Sequence, residues 1–99
     1  MATTPAKLSN VWPVLQEMFA ASTYSQTEVA TAIGLPKGTV SKYVSGQLAV
    51  PVSVVLGIAR ALEQDPELVL VRCLFAAYPD IVTTTFGQKL AEYAEGAST

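Results

Sequence analysis

A chain of 99 residues, 51% apolar, 14% charged and with a net charge of −2, has material for one compact core and is excluded from the disordered class. Its acidic balance also excludes a basic nucleic-acid coat or tail, which would show a strongly positive sum. At this size burial is incomplete, so a partner subunit can cover part of the apolar surplus.

Residues 1–8 read as a flexible leader, polar over Met1–Lys7 and lacking a signal-peptide core. A first helix follows, with Ser9 or Asn10 as its cap and Val11, Trp12, Val14, Leu15, Met18 and Phe19 as its apolar residues. Pro13 is tolerated there because first-turn donors have no intrahelical partner. Trp12 and Phe19 read as core by their helical spacing, and the helix stops over Ala21–Tyr24.

Ser25 and Glu28 form a capping-box pattern that opens a second helix. Val29, Ala30 and Ile33 share one face of it, and Gly34 is a left-handed stop. Pro36 sets the entry to a third helix beginning near Lys37. Val40, Tyr43 and Val44 recur at i, i+3 and i+4 as a core stripe, which makes Tyr43 a core residue, and Gly46 ends the helix. The apolar connection Leu48–Val52 can pack inside the monomer or serve as a contact surface.

Ser53 is the predicted cap of a fourth helix carrying Val55, Leu56, Ile58, Ala59 and Leu62. Asp65-Pro66-Glu67 signals a stop and a new start. The fifth helix, Pro66 to Tyr78, is apolar on most sides, and its run is too short and too broken by Arg72 to span a membrane. Cys73, the single cysteine, rules out an internal disulfide framework and fits a reducing cytosol. With no histidine in the chain to activate it, it reads as a buried small residue. Pro79 ends this helix, Ile81–Thr85 is extended or a turn, and Phe86–Glu95 forms a last amphipathic helix with Phe86, Leu90 and Tyr93 on one side. The fold class is all-α, a compact bundle of five to six helices.

Between Ser25 and Val50 the charged residues are Glu28, Lys37 and Lys42, a local excess of positive charge. Glu63, Asp65, Glu67, Asp80, Glu92 and Glu95 make the C-terminal part acidic, against Arg60, Arg72 and Lys89. The two helices around Gly34 therefore carry the positive face. Small Ala30 lets them approach closely, and Val29, Ile33, Val40 and Val44 lock the pair. The outer face of the second of them is then held rigidly outward, and a helix of that width fits the DNA major groove.

Residues 26–62, from Gln26-x-x-x-Ala30 through Gly34, Val40 and Gly46 to Ile58-Ala59-x-Ala61-Leu62, resemble the lambda-repressor/Cro (Xre-type) helix-turn-helix family. The resemblance implies a helix-turn-helix DNA-binding domain over 9–64, with 65–99 as a helical extension and candidate dimerisation element. It implies double-stranded DNA as partner, no cofactor and no metal, and a homodimer on a palindromic operator. Lys37, Gly38, Ser41 and Lys42 fall where the family contacts bases. Ser25, Gln26, Thr39, Ser45 and Gln47 fall at backbone-contact positions. Lysine can donate to guanine or neutralise phosphate, and a glutamine at a helix start joins the backbone donors that attract phosphate.

The chain departs from the family where the connection after the recognition helix, often basic, is Leu48-Ala49-Val50-Pro51-Val52. Two lysines per protomer give a dimer a salt slope of only about −4. The expected function is a phage or prokaryotic repressor or Cro-like regulator, cytoplasmic, occluding a promoter. The alternative is a protein-interaction module on the same fold, an antitoxin-like subunit or a phage protein docking on a host protein. The apolar run supplies a candidate contact surface at Leu68, Val71, Leu74, Phe75 and Tyr78 for a second copy or another protein. Alternatively the last helix covers that run within the chain, and both can hold in a dimer. An enzyme is not expected, since the sequence has no histidine, glycine-rich phosphate loop or nucleophile beside a base.

Overall fold

The protein is described by a computed structural model over residues 7–97. Six α-helices fill most of that span: α1 (Trp12–Ala20), α2 (Gln26–Ile33), α3 (Lys37–Val44), α4 (Val52–Ala61), α5 (Pro66–Ala77) and α6 (Thr85–Ala97). The all-α class is as expected. A 3-10 turn over Pro79–Thr83 joins α5 to α6. Two short strands, β1 (Lys7–Leu8) and β2 (Val50–Pro51), pair antiparallel with Leu8 opposite Val50.

This ribbon was not anticipated, and it moves the helix starts. Leu8 and Val11 are 2% and 1% exposed, which leaves Ser9 and Asn10 as the turn between them. Asn10 takes a left-handed φ of 61°, and α1 begins at Trp12 with Val11, not Ser9 or Asn10, at the N-cap. Of the expected leader, Lys7 and Leu8 belong to β1, while residues 1–6 lie outside the described residues. At α4, Pro51 occupies the N-cap with its ring-fixed φ of −61°, and Ser53 lies inside the helix without capping it. The connection before it divides, with Val50 buried at 1% and Leu48 exposed at 45%.

The core joins Leu15 and Met18 of α1, Val29 and Ala30 of α2, Val40, Tyr43 and Val44 of α3, and Val55, Ile58 and Ala59 of α4. Val69 and Cys73 of α5 belong to the same cluster, so the core continues across residue 65. Each fully buried branched aliphatic contributes ~1.5–3 kcal/mol relative to exposure. Burial outweighs the neighbouring Arg72 and pushes the Cys73 thiol up to about 11, which keeps it protonated and unreactive. An ion pair between Arg72 and Glu17, both largely exposed, ties α5 to α1.

Three helices end by one device, a left-handed residue followed by an amide that reaches back to the last turn. Leu35 N donates to Ala30 O at 2.9 Å past Gly34, and Gln47 N donates to Lys42 O at 2.9 Å past Gly46. Gln64 N donates to Ala59 O at 2.8 Å past Glu63, whose φ is 59°. Asp65 caps α5 as predicted, accepting from Glu67 N at 2.9 Å and Leu68 N at 3.3 Å.

α6 packs on α5 and the 3-10 turn. Tyr93 donates its hydroxyl to Glu67 Oε2 at 2.6 Å. That bond, with lesser help from desolvation and from the charges of Glu67 and Asp65, pushes the phenol up to about 12. Between the two helices lies a groove of about 350 Å³, walled by Leu70, Val71, Leu74, Phe86 and Leu90.

Candidate nucleic-acid interface

The site begins with the caps that set α2 and α3. Ser25 Oγ accepts from Glu28 N at 3.1 Å, and Glu28 Oε1 accepts from Ser25 N at 3.1 Å, the reciprocal capping box read from the sequence. The first-turn amides of Gln26 and Thr27 are left without an intrahelical acceptor and are available to an anion. Gln26 is half-buried at the first position of α2, and the Ser25 hydroxyl hydrogen remains free to donate. The Glu28 carboxylate stands in the same turn and weakens the attraction for a phosphate there.

Gly34, with φ 75°, turns the chain into α3. Val40, Tyr43 and Val44 are 0%, 9% and 7% exposed, so α3 is held by that stripe. On the opposite side Lys37, Gly38, Ser41, Lys42 and Ser45 are all exposed. The positions matched to base contacts thus form one continuous surface on a rigidly seated helix. Neither lysine has a carboxylate within ion-pair distance among the described residues, so both ammonium groups face outward unneutralised.

Gly38 is informative because nothing inside the molecule requires it. Its backbone is ordinary helix, and a Cβ built there would meet no atom within 4 Å. A glycine within a helix costs roughly 0.5–1 kcal/mol relative to alanine, and here no intramolecular contact offsets that cost.

The residues matched to backbone contacts are less uniform. Gln47 is exposed, whereas Thr39 is half-buried at the edge of the α3 stripe. Ser45 donates its hydroxyl to Lys42 O at 3.2 Å, so outward it offers only lone pairs and, in this arrangement, no hydrogen for a phosphate.

Trp12, expected in the core by its helical spacing, is 41% exposed and belongs to this region instead. Its indole lies over Gly46 at the end of α3, with Cδ1 2.8 Å from where a Cβ on that glycine would stand. Beside it Gln16 Nε2 donates to Val44 O at 3.2 Å, so the first half of α1 braces the end of α3. A cap at Ser9 or Asn10, as read from the sequence, places Trp12 inside the helix; with Val11 at the N-cap it is the first helical residue and lies beside the end of the bundle.

Of the candidate contact surface, Val71 is buried at 5%, Leu68, Leu74 and Phe75 are half-buried and Tyr78 is 51% exposed. α6 covers one side of the run, yet itself leaves Phe86 59% and Tyr93 42% exposed. Among the described residues no helix is long and apolar enough to cross a membrane, and no cluster of three or more His, Cys, Asp or Glu residues is placed to hold a metal ion.

In comparison with known proteins, a helix-turn-helix family model matches residues 15–69, from within α1 through the first turn of α5. No curated protein and no solved structure matches the chain significantly. The matched segment is more than half of the chain and holds the capping box, the Gly34 turn and the outward stripe of α3. The chain belongs to the lambda-repressor/Cro (Xre-type) helix-turn-helix family of DNA-binding regulators.

Proposed function

We propose that this protein is a sequence-specific transcriptional regulator of a phage or prokaryote, a repressor acting as a homodimer in the bacterial cytoplasm. Two α3 helices enter successive major grooves ~34 Å apart and occlude a promoter. Lys37 and Lys42 donate to guanine edges or neutralise phosphates, Ser41 reads an adjacent edge, and Gly38 lets the helix backbone approach the bases. Gln26, with Ser25 and the free amides of α2, holds a phosphate on one side of the groove, and Thr39, Ser45 and Gln47 lie toward the strands beside α3. The observation that carries this reading is the outward stripe of α3, exposed and unpaired, with a glycine at 38 that the fold does not need.

Duplexes enriched from a random-sequence pool by the wild-type protein, then titrated by fluorescence anisotropy, test it. Gly38→Ala is expected to stabilise the fold by roughly 0.5–1 kcal/mol, and at the same time to weaken binding tenfold or more. Lys37→Ala/Lys42→Ala is expected to abolish saturable binding at moderate salt. A pool with no enriched sequence, or variants that keep wild-type affinity, would sink the reading.

Those outcomes would favour an interaction module on the same fold, an antitoxin-like subunit or a host-binding phage protein. The exposure of Phe86 and Tyr93 beside the α5–α6 groove is the feature that supports this second reading.

A further inference from the structure

Trp12 is the one tryptophan of the chain and one of its largest exposed apolar side chains. It lies over Gly46, and its Nε1–H has no acceptor among the described residues. A shallow depression of about 230 Å³ opens beside it, walled by Ser9, Asn10, Tyr43, Gly46 and Leu48, with no charged side chain. The depression therefore offers neutral donors only. Exposed Gln47 follows Gly46 directly, whereas the neighbouring Ser45 has committed its hydroxyl to Lys42 O.

A DNA strand running past the C-terminal end of a helix seated in the major groove meets the carbonyl end of that helix. It must find donors elsewhere. The chain places no lysine or arginine between Lys42 and Arg60. The donors around the depression are the indole N–H, the Gln47 amide, the polar side chains of Ser9 and Asn10 and the Tyr43 hydroxyl, with exposed Lys7 in the ribbon beside it.

We propose that Trp12 is a DNA-backbone contact, its Nε1–H donating to a phosphate of the strand that passes the end of α3 while the exposed ring lies against the adjoining deoxyribose. The inference rests on the DNA-binding reading above. It explains why an indole sits half in solvent over a glycine, and how a strand is held at the end of α3 away from Lys37 and Lys42.

The single tryptophan makes the test direct. Wild-type protein is titrated with a duplex enriched from the random pool, and Trp12 emission is followed beside anisotropy. Trp12→Phe keeps most of the apolar contact and removes the N–H. Its fold is checked by circular dichroism, and the wild-type emission serves as a readout that needs no variant.

Four results are expected. Emission shifts or is quenched in step with binding. Trp12→Phe loses about tenfold or more in affinity, as for a hydrogen bond to a charged group. Its salt slope stays at the wild-type value, because a neutral donor releases no counterion, whereas each lysine removed lowers the slope by about 0.9 per protomer. Ethylation interference should show one phosphate that matters to wild type and no longer matters to Trp12→Phe. Binding by Trp12→Phe within twofold of wild type, or emission unchanged at saturating DNA, would overturn the proposal and leave the DNA-binding reading standing. Failure of the wild type to enrich any duplex would overturn both.

Discussion

Replacing Gly46 by alanine probes the seat of Trp12, and Gly34→Ala supplies the control. Both glycines are left-handed, with φ of 83° and 75°. Alanine there costs about 1–2 kcal/mol, partly offset by about 0.4–1 kcal/mol from the restricted unfolded chain. At Gly34 that is the whole effect, since a Cβ meets nothing within 4 Å, so the net loss is about 1 kcal/mol. At Gly46 the new methyl would stand 2.8 Å from Trp12 Cδ1 and 3.2 Å from Cγ and Nε1, and the ring must move. Displacing a seated side chain adds about 1–3 kcal/mol. Gly46→Ala should therefore cost about 2–4 kcal/mol in all. In a chain of this size each kcal/mol lowers the Tm by about 4–8 °C. Urea melts followed by circular dichroism, run in wild-type and Trp12→Ala backgrounds, complete a double-mutant cycle. In the Trp12→Ala background the two glycine substitutions should converge to within about 0.5 kcal/mol. Equal costs in the wild-type background would refute the contact.

Two further expectations concern the frame of the site. Ser25→Ala removes one half of the capping box and should cost about 1 kcal/mol, read as a Tm lower by about 4–8 °C. An unchanged Tm would mean that α2 is held by packing alone. Cys73 gives a pH dependence whose sign follows from its raised folded-state value, about 11 against an ordinary thiol value of 9.0. Below pH 9 both states hold the proton and this group adds no slope. Between about 9 and 11 the unfolded thiol ionises while the folded one does not, so stability falls as pH rises. Cys73→Ala should flatten the profile between about 9 and 10, above which the raised Tyr93 phenol adds a slope of the same sign, and a thiol reagent at pH 8 should label the native protein only as fast as it opens. Rapid labelling under native conditions would contradict the burial.

The central motif was legible because each of its signals is local. Ser25 and Glu28 satisfy each other within four residues, Gly34 supplies the turn, and Val40, Tyr43 and Val44 repeat at helical spacing. Asp65 and Pro66 announce α5 in the same way. What escaped depends on residues far apart in the chain. Leu8 pairs with Val50 across more than forty positions, and only that pairing turns Ser9 and Asn10 outward and gives the N-cap to Val11. Pro51, held in the same ribbon, takes the cap that Ser53 was expected to supply. Trp12 was misplaced for a related reason. Helical periodicity assigns a face, but the first residue of α1 extends past the bundle and lies on Gly46. Ser45 matches a family position by sequence, but the direction of its hydroxyl, which donates to Lys42 O, is set by the helix end and is not legible from spacing.

The dimer in the proposed function can be weighed against the exposed apolar surface. Val71 is buried within the protomer, so of the run read from sequence it is Tyr78, with Phe86 and Tyr93 on α6, that faces outward. Tyr78, Phe86 and Tyr93 are 51%, 59% and 42% exposed; at ~200 Å² per ring they offer roughly 300 Å². A stable interface needs about 800 Å² per partner, so contacts of this size give a weak dimer in free solution. DNA changes that balance, since two half-sites on one duplex hold both protomers at a high effective concentration. Sedimentation should accordingly show a concentration-dependent monomer–dimer equilibrium, shifted to dimer by a palindromic duplex. Phe86→Ser/Tyr93→Ser should keep wild-type affinity for an isolated half-site while losing cooperative occupation of the palindrome. A variant that still fills the palindrome cooperatively would place the contact elsewhere than the rim of the α5–α6 groove.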